Sequence, residues 1–353
     1  MKYSLLATTL GVAILLSACG LESKDTALGE YDVITIVCDS ADYNELEDVI
    51  ENAFASPIFT PQPERWFRLQ RLDLGDLLDR KRERNIVIIA PMDAKNSTGD
   101  YMRSALDSAV RGLVKEGKEN VFVQKDLWYR GQTVMHLTAR TMTELRDFMA
   151  ANASRLEYYF KSAWDDFERK RMLGLSREET IEEQLLEEHA FSLAVIQDWF
   201  VAKDSSDIGC VLLRRQSPVD TERWLLVHWI DTDNTALLTN DFAFATRNRL
   251  TEILYRTYND SAWVVIDSAN YLQFDEVNFQ GRFAIRMKGL WRMNDYSMGG
   301  PFTSYLFYEE TQKRIYFIDG AAFAPKYEKK KLIQDLDVMI STFKPGSASS
   351  GPA

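Results

Sequence analysis

The sequence predicts an α+β fold: two halves of mainly antiparallel sheet with packed helices, and a long amphipathic helix between them. Three observations carry this expectation. Short β-branched and aromatic runs bounded by turn residues recur from Tyr31–Cys38 to Arg314–Ala322. Helical periods lie among them without regular βα alternation, which argues against a doubly wound parallel sheet. The stretch Thr141–Met172 keeps one helical period for about 30 residues, roughly 45 Å at 1.5 Å per residue.

The chain opens with Lys2, an apolar run from Leu5 to Leu16, and small residues before Cys19. The run is shorter than the roughly 20 residues a membrane-spanning helix needs, and its anatomy is that of a secretory signal. Leu16-Ser17-Ala18-Cys19 resembles the lipobox of bacterial lipoproteins. That resemblance implies cleavage after residue 18 and acylation of Cys19 with palmitate-class chains. Two or more chains hold firmly where one myristoyl chain binds only marginally. An ordinary secretory signal cut elsewhere is the plainer alternative. Residues 19–30 are small and polar and read as a tether. Gly20, where lipoproteins kept in the inner membrane commonly carry Asp, points to the periplasmic face of the outer membrane.

Past the signal, the chain is long enough for one large or two ordinary domains, and 46% apolar with 12% aromatic residues argues for a packed core. A formal charge of −11, spread along the chain, speaks against nucleic acid and anionic headgroups as partners. Cys38 and Cys210 have two readings: an oxidised pair of an exported protein, or two small buried hydrophobes.

In the first half, residues 31–173, the order is strand Tyr31–Cys38, helix Asp42–Phe54, a Pro57/Pro61/Pro63 connection, and half-buried strand Trp66–Leu72. Buried strand Asn85–Pro91, surface loop Asp93–Asp100 and helix Tyr101–Lys115 follow. Strands Val121–Trp128 and Thr133–Arg140, turned at Arg130-Gly131, precede the long helix. In the second half, residues 174–344, Ser176-Arg-Glu-Glu179 fits a capping box for a helix to His189, with Ile181, Leu185 and Leu186 inward. Strands follow at Phe191–Val201, Cys210–Arg215 and Arg223–Ile230, then helix Asp241–Tyr258 and strands Ala262–Ile266, Phe283–Met293, Phe302–Tyr308 and Arg314–Ala322. Helix Tyr327–Phe343 closes the fold, and residues 345–353 read as a disordered tail.

Gly289-Leu-Trp291, Met298-Gly-Gly-Pro-Phe302 and Ala322-Phe-Ala-Pro325 form a series that resembles the domain of unknown function 4837 family, exported lipoproteins of Gram-negative bacteria. Pro61-Gln-Pro-Glu64, Arg84-Asn-Ile86, Trp128 and Gln132 extend the resemblance to nearly the whole mature chain. It implies an envelope lipoprotein and no particular activity. Physically, Gly299 and Gly300 permit φ > 0 or close backbone approach, and Pro301 fixes φ as a strand starts, which makes a turn. The functional alternative is a ligand loop built from Trp291, Tyr296, Met298, Gly299, Gly300, Pro301 and Phe302.

No catalytic motif is present: no Gly-x-Ser-x-Gly elbow, no Walker loop, no dinucleotide fingerprint and no His-Glu-x-x-His. His189, beside Glu187 and Glu188, reads as part of a solvated helix face; His136 and His228 read as core or sheet-face residues. The expectation is therefore no catalytic residue, no metal and no cofactor. Two functions remain: a non-enzymatic envelope lipoprotein binding a protein or glycan, and a periplasmic glycan hydrolase using a carboxylate pair.

Overall fold

The computed structural model describes residues 24–346. Cys19 and the signal segment lie outside the described residues.

The first half is a five-stranded sheet between two helical layers. Its elements are β1 (Val33–Val37), α1 (Ser40–Phe54), β2 (Arg68–Leu72), β3 (Asn85–Ile89), α2 (Ser97–Ala105), α3 (Ser108–Lys115), β4 (Val121–Lys125), β5 (Thr133–Leu137) and α4 (Met142–Leu173). The strand order is β2-β1-β3-β5-β4. The period of two along each strand sends Ile34, Ile36, Val87, Ile89, Met135 and Leu137 to one face, under α1 and α4. Val37, Ile86, Ile88 and Val134 go to the other, against Met102 and Leu106 near α2.

Here the structure departs from the expected antiparallel arrangement. β1 runs parallel to β2 and to β3, and β3 runs parallel to β5; only β4 and β5 are antiparallel. The reason lies in the connections. α1 and the proline segment carry the chain back across the sheet between β1 and β2, and residues 73–84 do so between β2 and β3. α2 and α3 lead instead into β4, which runs opposite to β3 and is joined to β5 by a short turn at Gly131 (φ +78°).

The second half contains α5 (Glu179–His189), β6 (Phe200–Ser205), β7 (Cys210–Arg215), β8 (Glu222–Asp231), α6 (Asn240–Leu254), β9 (Val264–Ile266), β10 (Leu272–Phe279), β11 (Arg282–Met293), β12 (Gly299–Glu309), β13 (Arg314–Phe323) and α7 (Lys330–Ile340). Its strands form one antiparallel sheet, ordered β9-β11-β12-β13-β8-β7-β6, with β10 also on β11. α6 covers one face, with Leu212, Leu226, Phe302 and Phe317. α5, α7 and residues 193–199 cover the other, with Val211, Leu225, Phe307 and Ile318.

Several elements differ from expectation. α4 is broken at Asn152 (φ −121°, ψ 17°), whose side-chain amide donates to Phe148 O at 2.8 Å. The expected loop at 93–100 ends early, because Asn96 accepts from Gly99 N and starts a helix at Ser97. A second cap, Asp107, divides the expected Tyr101–Lys115 helix into two. α5 starts without a capping box; its N-cap is Glu178, with no side-chain cap bond, and Leu186 is exposed. Only Phe191–Ser192 and Phe200 onward are strand within Phe191–Val201. β10 lies outside the expected strands: its apolar residues change face at Asp275-Glu276, so that Leu272 and Phe274 pack into the core on one side of the sheet and Val277 and Phe279 into the core on the other.

Residues 24–28, expected in the tether, pack on the domain: Ala27 is buried, its N–H donates to Arg130 O, and Lys24 Nζ donates to Asp126 O at 2.6 Å. Lys344–Pro345 pairs with Phe191–Ser192, so Pro345 belongs to the fold rather than to the tail. Cys38 and Cys210 are free thiols in separate cores. Burial pushes them up to about 12 and about 11, respectively. Among the described residues, no helix is long and apolar enough to cross a membrane.

The two halves are joined through polar contacts on α7. Five helices (α1, α2, α3, α4 and α6) carry an N-cap side chain of their own. α7 has none, and opens Lys329-Lys330-Lys331, against its own dipole. Glu64 of the first half supplies the cap, accepting from Lys329 N and Lys330 N at 2.9 Å. Farther along, Glu168 of α4 pairs with Lys331 at 2.7 Å, and Asp165 accepts from Gln334 at 2.7 Å.

Candidate functional site

The structure brings the expected loop residues together only in part. Trp291 is buried and its indole N–H donates to Ala322 O at 3.2 Å, with Trp224 edge-on at 5.2 Å. Gly299, Gly300 and Pro301 lie inside β12, and neither glycine has a positive φ. The left-handed residue of the turn is Tyr296 (φ 63°), which is exposed beneath the Arg292 guanidinium at 4.0 Å. Of the two roles given to the glycines, close approach is the operative one. A Cβ on Gly300 would sit 2.0 Å from Ala322 O, and one on Gly299 would sit 2.9 Å from Trp291 O.

Pro301 completes the arrangement. It faces Leu290, whose N–H and C=O bond to Tyr271 and Asp267 on the opposite side. With no N–H of its own, Pro301 leaves Ala322 O to the Trp291 indole. Phe302 is buried beneath the Arg247 guanidinium at 3.7 Å, and Arg247 pairs with the buried Asp319 at 2.8 Å. Met298 is partly exposed and lines a pocket of about 140 Å³ beside Trp224 and Tyr255. Trp291 and Gly299 also edge a cleft of about 390 Å³ shared with Phe59–Pro61 of the first half, where Phe59 stacks on Tyr271 at 3.9 Å.

A larger cleft, of about 640 Å³, lies at the end of α5 and draws on residues that no motif flagged. α5 ends in a left-handed Ala190 (φ 58°), which turns the chain into Phe191–Ser192 and tucks the His189 ring inward. The ring is 6% exposed and packs on Trp229 at 5.0 Å, so His189 is not on a solvated helix face. Its Nε2–H donates to Asp204 Oδ2 at 2.7 Å, and Ser206 Oγ donates to Asp204 Oδ1 at 2.9 Å. Arg314 spans the cleft floor, donating to His189 O at 2.9 Å and Asp231 Oδ1 at 2.6 Å, with its guanidinium 5.6 Å from the Trp229 ring centre. Glu187, Glu188 and Lys344 complete the charged rim.

The other histidines are sheet residues, as expected. Burial holds both near 4. His228 donates from Nδ1 to Gly209 O, while neither ring nitrogen of His136 has a partner among the described residues.

Comparison with known families divides the chain where the structure does. Residues 178–342 match a domain of unknown function, DUF4837. The second half is a DUF4837 domain. The resemblance expected over nearly the whole mature chain holds for this half alone; residues 27–172 match a different domain of unknown function, DUF8532. The first-half pieces have structural roles in that separate domain. Glu64 caps α7, the Arg84 guanidinium lies 4.0 Å over Tyr31, and Gln132 Nε2 donates to Lys81 O and Glu83 O. The 640 Å³ cleft belongs mainly to the DUF4837 half.

No curated protein matches the chain. Among solved structures, cyanobacterial PsbP from Synechocystis sp. PCC 6803 is 10% identical, with TM-score 0.32, over 45% of this chain and 88% of that one. The Ran-binding protein Mog1p of Saccharomyces cerevisiae is 15% identical, with TM-score 0.29, over 45% of this chain and 91% of that one. A Bacteroides thetaiotaomicron structure is 15% identical, with TM-score 0.25, over 46% of this chain and 47% of that one.

Proposed function

We propose that the protein is a membrane-anchored cell-envelope lipoprotein that binds a glycan without transforming it, lipidated at Cys19 and held at the periplasmic face of the outer membrane. The anchor rests on Leu16-Ser17-Ala18-Cys19 and the short apolar run before it. Binding rests on one observation: the 640 Å³ cleft sets the half-buried Trp229 among Arg314, Lys344, Glu187 and Glu188. An apolar ring face with convergent donors and acceptors suits a polyhydroxylated ring better than a purely apolar ligand. A hydrolase reading needs two free carboxyl groups facing each other across a scissile bond. Beside this cleft Asp204 is engaged by His189 and Ser206, and within it Glu187 and Glu188 are neighbours on one helix.

The test has two arms. Cys19→Ala is expected to leave the precursor uncut and to alter its membrane fractionation; normal processing and retention would overturn the anchor. The purified full-length chain in detergent is expected to co-sediment with insoluble peptidoglycan, and Trp229→Ala, its melting curve checked, to reduce binding at least tenfold. Release of reducing ends that Asp204→Asn abolishes would overturn the non-enzymatic reading.

A further inference from the structure

We propose that Glu188, His189 and Asp204 form a binding site for a divalent transition metal of the zinc class at the rim of the α5 cleft. Each offers one ligand atom, and the three atoms lie within 4.8 Å of one another. His189 Nε2 is 2.7 Å from Asp204 Oδ2 and 3.9 Å from Glu188 Oε2. Tetrahedral zinc holds N and O ligands at about 2.0–2.2 Å, which places neighbouring ligand atoms a little over 3 Å apart. Asp204 therefore needs to recede by a few tenths of an ångström and Glu188 to close in. Glu188 does so by giving up a 3.3 Å hydrogen bond from Gln184 Nε2, which its 54% exposed side chain on the last turn of α5 allows.

The donor set is chemically apt. One imidazole and two carboxylates suit zinc, and they suit manganese or cobalt in the same geometry. When the metal enters, the neutral His189 ring changes tautomer: the Nε2 proton is released to solvent, Nδ1 takes one up, and Nε2 offers its lone pair to the ion. Ser206 Oγ holds the second oxygen of Asp204, the kind of outer contact that orients a ligating carboxylate. The nearby cation Arg314 does not neutralise the set, because it is committed to Asp231 and the His189 carbonyl. Three protein ligands leave a fourth position, and two of the three, Glu188 and His189, also line the 640 Å³ cleft. The plain alternative is a His–Asp hydrogen bond pinning α5 to β6, with Glu188 accepting from Gln184 on the helix surface at 3.3 Å; it calls for no stoichiometric metal, so titration separates the two.

The inference stands apart from the glycan reading, and its test uses no glycan. Untagged full-length protein in detergent, freed of metal by chelation, is titrated with Zn²⁺ by calorimetry and with Co²⁺ by visible absorbance. One ion per chain is expected, with intense low-coordination cobalt bands. Asp204→Asn is expected to weaken Zn²⁺ at least tenfold and Glu188→Gln several-fold, while the neighbouring acid variant Asp207→Asn binds as the parent does. Glu188→Gln alters an exposed side chain and keeps the fold, so it decides the matter even if the Asp204 variant is unstable. Absence of stoichiometric binding, or binding equal in parent and Glu188→Gln, would overturn the site.

Discussion

At the scale of single residues, Met298-Gly-Gly-Pro-Phe302 is a packing device. Trp291 fills the core under β12, Gly300 lets the Ala322 carbonyl approach, and Pro301 withholds the ladder donor so that the indole takes that carbonyl. Each residue is required by its neighbour. A methyl group at Gly300 has nowhere to go, since the obstacle is backbone rather than a movable side chain. Gly300→Ala is expected to cost at least about 3 kcal/mol in chemical denaturation. Trp291→Ala should cost about 3–5 kcal/mol. Tyr296→Ala and Met298→Ala, on exposed side chains, should stay within about 0.5 kcal/mol. Equal stability across the four variants would return this stretch to the status of a ligand loop.

At the scale of elements, α7 shows a helix whose terminus is completed by another domain. Its three opening lysines repel one another and face a positive helix end; Lys329 and Lys330 are nearly buried. Glu64 resolves both problems from a segment over 260 residues away, and Asp32 adds a contact to Lys330 Nζ at 3.0 Å. Glu64→Ala is expected to destabilise by about 2–3 kcal/mol, more than an exposed cap, because it strands buried cationic groups as well as amides. Glu64→Gln, which keeps an acceptor, should lose about half of that. Denaturant midpoints for the two variants provide the measurement, and an Ala variant no worse than Gln would refute the charge argument.

At the scale of the whole molecule, the halves have separate sheets and cores but share this polar seam, so acid should weaken each half and the joint between them at different pH values. His136 in the first sheet and His228 in the second titrate near 4 when folded, against about 6.5 unfolded. Their neutral forms favour folding above about pH 6.5, and that contribution is lost as pH falls toward 4. At Glu168 burial works to raise the carboxyl, and hydrogen bonds from Lys331 and Arg171 more than reverse it, leaving it below its ordinary range. Its stabilising share is present above about pH 4.3, the unfolded value, and disappears as pH drops through the folded one. Stability measured against pH is therefore expected to fall in two stages. His136→Phe should flatten the first and Glu168→Gln the second. A single loss confined below pH 4 in the parent would contradict the histidine stage.

Much of this architecture was legible in the chain because local chemistry determines it. β-branched runs, helical periods and the Arg130-Gly131 turn place most elements within a few residues, and the division into two halves follows from the long helix between them. Even the parallel first sheet left a trace: Asn85-Ile-Val-Ile-Ile is apolar on both faces, the mark of a strand covered by helices on each side. Leu16-Ser17-Ala18-Cys19 is a feature of sequence alone, and acylation at Cys19 is proposed from it. Tertiary structure alone decided the rest. Whether Gly300 serves a turn or a close approach depends on where the Ala322 carbonyl falls. Glu64 becomes a helix cap only when two domains meet. His189 stands beside Glu188 in any reading of the chain, but Asp204 reaches it from another element, and Trp229 encloses the ring from a third. A site assembled from three segments has no spacing to read, because the distances that define it are set by packing.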